Sequence, residues 1–580
     1  MRLPETDVVI VGVGWAGGIL AAELTKAGLK VVGLERGQPR GLADFQHDID
    51  ELRYAVDYEL MQDTSRETWT LRHTLGERAL PIRQLGSFLP GTGVGGAGVH
   101  WQGLTWRFEP RDFTIRSSTT ARYGAQAIPA ASTIQDWGIT YDQLEPYYDK
   151  FEYMAGVAGK AGNIQGQTQE GGNPFEGPRA RDYPVGPMLD AHAPVVFRDA
   201  AKKLGYHPFP SPSANLPRAY TNPDGITRGA CTYCGFCERF GCWVGAKADP
   251  TVTVLPVAQK SGNFELRTET NVFQIAHDGK RAHSVLYVDA LGHVQEQPAS
   301  IVILTAYVFN NVRLLLLSQM GTPYDPQTGT GSVGKNYCYQ VGSGGSGFFE
   351  KMTFHRYMGS GANGYSMDDF NADNFDHSGL GFIGGGGISC GASGARPIQS
   401  LPVPPGTPTW GAQWKAAIRK YYDRALSVGF QGESIAYRTH LLDLDPTYRD
   451  TFGQPLLRIT FDWEDNERKM AAYGAAKIKD ILQATGADIV AVGGGLPPHY
   501  DVSVYQSTHN TGGAIMGADP SASVVNNYCQ MWDFDNVFVV GASAFPQNAG
   551  RNPTGTVGAL AYRAADGIVN RYQKNPGPLA

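Results

Sequence analysis

Four cysteines fall within twelve residues, in the segment CTYCGFCERFGC: Cys231, Cys234, Cys237 and Cys242. The other three of the chain's seven, Cys338, Cys390 and Cys529, are scattered. The spacing C-x2-C-x2-C-x4-C lies close to the ferredoxin-type run in which neighbouring thiolates wrap one iron–sulfur cluster. Structural zinc prefers two cysteine knuckles separated by a longer insert, which one dense run matches less well. Disulfides or free thiols are the third reading. Of the four, Cys231 is the least secure ligand. A cluster held here would move electrons one at a time. A second set of reactive groups lies towards the C-terminus, where His509 stands in STHNTGGAIMGAD and Asn552 in QNAGRNPTGT. This polar pair is far apart in sequence, so only the fold can bring it together.

The elements that would position these groups are legible at both ends. In DVVIVGVGWAGGILAAELTKAGLKVVGLE (7–35), Val8 to Val11 form the short β-branched run of a buried parallel strand. Gly12, Gly14 and Gly17 then complete G-x-G-x-x-G, followed by a helical stretch to about Ala27 and a second strand from Lys30 to Leu34. The glycines permit a tight turn, close approach of backbone to a pyrophosphate and helix-on-strand packing. The helix N-terminus offers its N–H groups to the phosphates. Glu35 lies about where an acid bonds the ribose hydroxyls of an adenosine. An acid rather than Arg at this place points to FAD or NAD and away from a 2′-phosphate. Near the other end, Val537 to Val540 form another buried strand ending in Gly541 and Ala542, and a helix begins near Pro553.

At 580 residues the chain exceeds one ordinary core, so two large domains are expected. The net charge is −6 with no basic tract, which excludes nucleic acid as a partner class. Glycine, at 73 residues, is nearly twice its usual share. Of its runs, GTGVGGAG (91–98) fits backbone packed against a cofactor, while VGSGGSG (341–347) and IGGGG (383–387) read as loops. The stretches 160–190 and 391–411 also read as loops. No apolar run is long enough to span a bilayer, and the first strand begins too early to leave room for a signal peptide.

Taken together, GVGWAGGILAAEL with Glu35, the run GTGVGGAGVHW, the H-x-x-G-G-x-x-M-G segment at His509 and Asn-Pro-Thr at 552–554 resemble the glucose–methanol–choline (GMC) oxidoreductases. Within them, CTYCGFCERFGCWVGAKA and NVFVVGASAFPQNAGRNPTGTVGALAY are most similar to the flavoprotein subunits of gluconate 2-dehydrogenases and related membrane-associated sugar and polyol dehydrogenases. The resemblance implies an α/β chain with a Rossmann-like FAD-binding domain and a sheet-containing substrate domain. Residues 1–110, 235–335 and 500–580 would build the first, 111–234 and 336–499 the second, and 231–242 the cysteine loop. It also implies FAD, a [3Fe-4S]-type cluster on the four cysteines, a small exported partner subunit and a multihaem cytochrome c at the periplasmic face of the bacterial inner membrane.

Carried over residue by residue, His509 matches the family's general base, as an imidazole titrating near neutrality, and Asn552 matches the partner that holds the same substrate hydroxyl. Gly12, Gly14, Gly17, Glu35, Gly93, Gly95, Gly96, Val272, Gly541, Ala542, Pro553 and Thr554 match the flavin cradle. His100, in G-G-x-x-x-H-W, resembles the segment by which pyranose oxidases attach FAD covalently; a hydrogen-bonding or purely structural histidine is the alternative. The chain departs from the family at Tyr307, where glycine is common, and at VGKNYCYQ (333–340), which lacks an Asp-His pair. Arg551 could meet a sugar-acid carboxylate or be a surface or cluster-facing cation. The competing function is an oxygen-reducing oxidase of pyranose or long-chain alcohol type in which the cysteines are only structural.

Overall fold

The computed structural model describes residues 1–45, 49–64, 67–394, 396–398, 400–504 and 506–579. The N-terminal apolar runs form strands at Thr6–Val11 and Val31–Leu34, joined by a helix at Trp15–Lys26. That helix packs on the helix Thr554–Gly567 and on the short helix Leu255–Lys260 as well as on the sheet, which is why it is apolar on nearly every side. Its glycines are steric necessities. A Cβ on Gly17 would lie 2.1 Å from the Gly12 carbonyl oxygen, so only glycine lets the helix sit this close to the first turn.

The seven-stranded sheet runs in the order 264–267, 31–34, 6–11, 294–304, 282–288, 271–277, with Val537–Val539 also paired to Val294–Leu304. The strands around Thr6–Val11 pair in parallel, and the last two pair antiparallel. Pairing of Val302–Leu304 with Val537–Val539 draws the C-terminal segment to the middle of the sheet. The carboxyl ends of strands from three distant parts of the chain therefore open on one edge, the place where parallel sheets bind ligands.

A second, antiparallel sheet runs in the order 489–492, 341–348, 425–432, 386–393, 359–367, 209–210. The helix Asp465–Ala484 covers one face, with Phe430 pressed on Gly474. The other face carries Ser427, Gly429 and Gln431, opposite Ser346, Gly344 and Gly342. It is almost free of bulk. Here the loop expectation for VGSGGSG fails, because Val341–Phe348 is a strand. Its glycines are dictated by packing: a Cβ on Gly345 would meet Leu482 and the Ala491 carbonyl at 2.9 Å, and one on Gly347 would meet Ala487 at 2.9 Å. Tertiary pairing overrides the low strand propensity of glycine. IGGGG likewise runs into the strand Gly386–Ser393. The stretch 160–190 is irregular apart from a two-residue hairpin at Asn163–Ile164 and Gln167–Thr168. The stretch 391–411 is irregular after Ser393, with residues 395 and 399 outside the described set.

A four-stranded sheet ties 70–72 and 80–81 to 441–449 and 455–460. It thus joins segments that the sequence reading assigned to different domains. No helix among the described residues is long and apolar enough to cross a membrane.

Candidate active site

An elongated cavity of about 1460 Å³, counting its open mouth, lies along the carboxyl edge of the parallel strands. Gly12, Gly14, Glu35, Gly96, Val272, Gly541, Ala542, Pro553 and Thr554 line it. Gly17, Gly93 and Gly95 do not; they shape the wall from behind. Gly93 and Gly95 both have left-handed backbone, with φ of 117° and 90°. The Gly95 N–H donates to the Val13 carbonyl at 2.8 Å, and the Gly93 N–H donates to the Glu35 carboxylate at 3.3 Å. Glu35 is further held by the N–H groups of Val13 and Gly37, each at 3.0 Å. Its carboxylate is thus fixed by three backbone donors at one end of the cavity. An acidic clamp at one end and a helix N-terminus at Pro553–Thr554 on the wall suit a dinucleotide.

At the other end the fold assembles the pair that sequence alone could not. His509 Nε2 lies 3.0 Å from Asn552 Nδ2. Their chain neighbours Thr508 and Pro553 line the cavity. His509 Nδ1 lies 2.6 Å from Gln340 Oε1, and Asn552 Oδ1 accepts from the Trp106 indole N–H at 3.0 Å. Burial pulls the imidazole down to about 4. This corrects the expectation of titration near neutrality: the ring is fully in its free-base form at pH 7, which is the form a proton acceptor needs. A second cavity, of about 1020 Å³, is lined by Ser343, Ser389, Gln431, Trp463 and Tyr500. It approaches His509 from the open face of the antiparallel sheet, since Gln431 Nε2 is 3.3 Å from His509 Nδ1.

His100 does not line the dinucleotide cavity. It is buried behind the Gly96–Gly98 turn, and its Nε2 has no hydrogen-bond partner. Its carbonyl accepts from the N–H of Arg239, in the cysteine loop. Burial, with Lys247 and Arg40 nearby, pulls its pKa down to about 3.

The cysteine loop is tied to this wall by Lys247, whose buried ammonium donates to the carbonyls of Trp101, Cys237 and Phe240 at 2.8, 2.6 and 2.8 Å. None of the four is disulfide-bonded in this structure. Backbone N–H groups point at two sulfurs, Tyr233 at Cys231 (3.3 Å) and Lys247 at Cys242 (3.4 Å). Tyr233 and Arg239 both have left-handed backbone, with φ of 53° and 75°. Burial pushes the Cys237 thiol up to about 12. Among the described residues no group of three or more His, Cys, Asp or Glu side chains converges on a single metal ion. A polynuclear cluster asks for something else: thiolates spread over several irons, each aided by N–H donors and nearby positive charge. That donor chemistry is present here.

Arg551 is buried, beside Asp368 and stacked over the Trp106 ring at 4.1 Å, so it is not a surface cation. Burial lowers its pKa to about 10, against the pull of Glu109. Tyr307, where the family resemblance calls for glycine, has φ of 76° and lines the dinucleotide cavity. A non-glycine residue held there costs on the order of 1 kcal/mol. Its hydroxyl accepts from Asn510, next to His509, at 2.6 Å, so the strain is borne at a contact with the loop of the base. Gln340 and Gln431 were invisible as site residues because no motif spacing links them to His509.

Residues 442–561 match the family profile described as GMC oxidoreductase. Over its whole length the chain is 46% identical to the gluconate 2-dehydrogenase flavoprotein of Pantoea cypripedii, covering 96% of that protein. It is 26% identical to the fructose dehydrogenase large subunit of Gluconobacter japonicus, over 98% of each chain. Among solved structures, formate oxidase from Aspergillus oryzae superposes with a TM-score of 0.60 over 99% of each chain at 15% identity, a likeness of fold alone.

Proposed function

Since the chain belongs to the GMC oxidoreductases, FAD-dependent enzymes acting on CH–OH donors, we propose that it is a dehydrogenase of a sugar, sugar acid or polyol hydroxyl, with gluconate to 2-ketogluconate as first choice. The observation that carries this reading is a cavity lined by Glu35 and by Thr508 and Pro553, the chain neighbours of the paired His509 and Asn552. The substrate class rests on the relative of 46% identity.

The Gly12 to Glu35 unit, Gly96, Gly541 and Pro553–Thr554 would hold FAD, which would supply the hydride acceptor. The rest is work for this chain's own side chains. A carbinol carbon releases hydride only as its hydroxyl proton leaves, because the forming carbonyl draws electron density from oxygen. His509 Nε2 takes that proton, and the Asn552 amide holds the same oxygen so that the C–H bond is correctly aimed. The polar, nearly side-chain-free sheet face above Gln431 suits a molecule with many hydroxyls.

Cys231, Cys234, Cys237 and Cys242 would hold an iron–sulfur cluster of [3Fe-4S] type, with Cys231 the ligand most readily spared. Its chemistry is one-electron transfer, and the acceptor would be a multihaem cytochrome c subunit. The partly exposed Cys234 lies beside exposed Tyr357 and Met358, through its bridge to Gly359, which supports docking at this loop. A small exported subunit would carry the chain to the periplasmic face; the relative named as a large subunit supports such an assembly. The alternative is an oxygen-reducing oxidase of pyranose or long-chain alcohol type, in which the four cysteines are only structural. Turnover of gluconate, 2-ketogluconate, sorbitol, glucose and glucosides with a dye acceptor and with oxygen separates these readings. Oxygen use at full speed with no iron present would favour the oxidase.

A further inference from the structure

We infer that Gln340 is a positioning residue that fixes His509 in one neutral tautomer, proton on Nδ1 and lone pair on Nε2, while Trp106 orients the Asn552 amide that faces Nε2. The inference rests on His509 being the base and adds how the chain keeps it in working form.

The assignment follows from groups whose roles cannot be reversed, and it comes from both ends of one chain of hydrogen bonds. An indole N–H only donates. Trp106 Nε1 at 3.0 Å therefore faces the oxygen of the Asn552 amide, which turns Nδ2 towards His509. An amide NH2 only donates, so the His509 Nε2 it meets at 3.0 Å must be the bare nitrogen. From the other end, backbone carbonyls only accept. The carbonyls of Ala549 and Arg551, both 2.7 Å from Gln340 Nε2, turn the Gln340 oxygen towards His509. An amide oxygen only accepts, so His509 Nδ1 at 2.6 Å must carry the proton.

Gln431 supplies a third argument. Its Nε2 donates to the same Gln340 oxygen at 2.6 Å. Turned over, it would set two amide oxygens against each other. Its 3.3 Å approach to Nδ1 is the longer of its two contacts, so its hydrogens are spent on Gln340. Gln340 is fully buried, so no water competes for its oxygen.

The consequence is that the nitrogen facing Asn552 is kept bare while the ring is neutral. Without the Gln340 oxygen only the Asn552 amide would oppose a proton on Nε2, and every ring protonated there would be inert as a base. Where a catalytic imidazole is forced wholly into the wrong tautomer, the rate falls by about 10⁴-fold; released rather than forced, His509 should lose about 10-fold or more.

The test uses FAD-loaded enzyme with isotope-labelled histidine, whose ring-nitrogen NMR signals distinguish a bare nitrogen from a protonated one. The His509 signals are identified by their loss in His509→Asn. The parent should show a protonated Nδ1 and a bare Nε2. Gln340→Leu should blur that signature and lower kcat by about 10-fold or more with KM little changed. Gln340→Glu, which returns an acceptor oxygen but as a carboxylate that favours the imidazolium, should restore the protonated Nδ1 and show a bare Nε2 only above a raised ring pKa. Trp106→Phe should lower kcat yet leave Nδ1 protonated. A parent with the proton on Nε2 overturns the inference whatever the variants do. So does a Gln340→Leu enzyme with parental spectrum and rate. If His509→Asn itself reduces its flavin normally, the base reading has failed instead.

Discussion

Replacing Asn552 by Asp should move the pH at which the base becomes free from about 4 up into the range of about 6 to 8. The substitution keeps the acceptor facing Trp106 but sets a carboxylate oxygen where the amide nitrogen now stands, 3.0 Å from His509 Nε2. At that separation and an effective dielectric constant of about 20, the attraction between carboxylate and imidazolium is worth roughly 5–6 kcal/mol. At ~1.4 kcal/mol per unit this is ~4 pKa units, and allowing half for screening by water in the cavity leaves ~2. His509 starts at about 4, so the variant should titrate between about 6 and 8. The sign is set by which form works: a carboxylate favours the protonated ring, and only the bare ring accepts a proton. The parent's rate of flavin reduction should be flat above pH ~5 and fall only as pH drops through about 4. The variant should be slow below its new pKa and recover as pH rises through it. Anaerobic stopped-flow across the pH range measures both profiles. An acid limb at the parental pH in the variant would refute the placing of Nε2 against residue 552.

Three further outcomes follow from the same geometry. His509→Ala should slow flavin reduction by about 10²–10⁴-fold while FAD content stays near normal, measured by flavin absorbance and stopped-flow. Cys237→Ser should leave flavin reduction by substrate intact but lower iron content and slow electron delivery to a cytochrome; parental iron and cytochrome rates would remove the cluster from the account. Gly17→Ala sets a methyl 2.1 Å from the Gly12 oxygen, so the first turn must shift and FAD should be lost on gel filtration, with the protein otherwise folded.

Much of the cofactor side was legible because its chemistry is local. A tight glycine turn, a buried strand on either side and an acid at the end of the second strand are all set within about thirty residues, and Gly12, Gly14 and Glu35 line the cavity as read. The pair was legible only through the resemblance, since His509 and Asn552 meet through tertiary contacts such as the Asn548 amide on the His509 carbonyl. Gln340, Gln431 and Trp106 lie on other segments again, and a buried amide has no spacing to betray it. The glycine-rich strand at Val341–Phe348 was misread because its composition reflects what packs on it, Leu482 and Ala487, rather than its own preference. The surface reading of Arg551 failed for the same reason: Asp368, beside it, is nearly two hundred residues away in sequence.

The account turns on a hydroxyl being oxidised at the His509 end of the dinucleotide cavity. Mixing FAD-loaded enzyme with gluconate in the absence of oxygen tests this most directly. Gluconate should bleach the flavin in one phase and leave 2-ketogluconate in equal amount to the FAD reduced, and His509→Ala should abolish that phase. A flavin left oxidised by gluconate and by every sugar, sugar acid and polyol offered, or one bleached equally fast without His509, would contradict it.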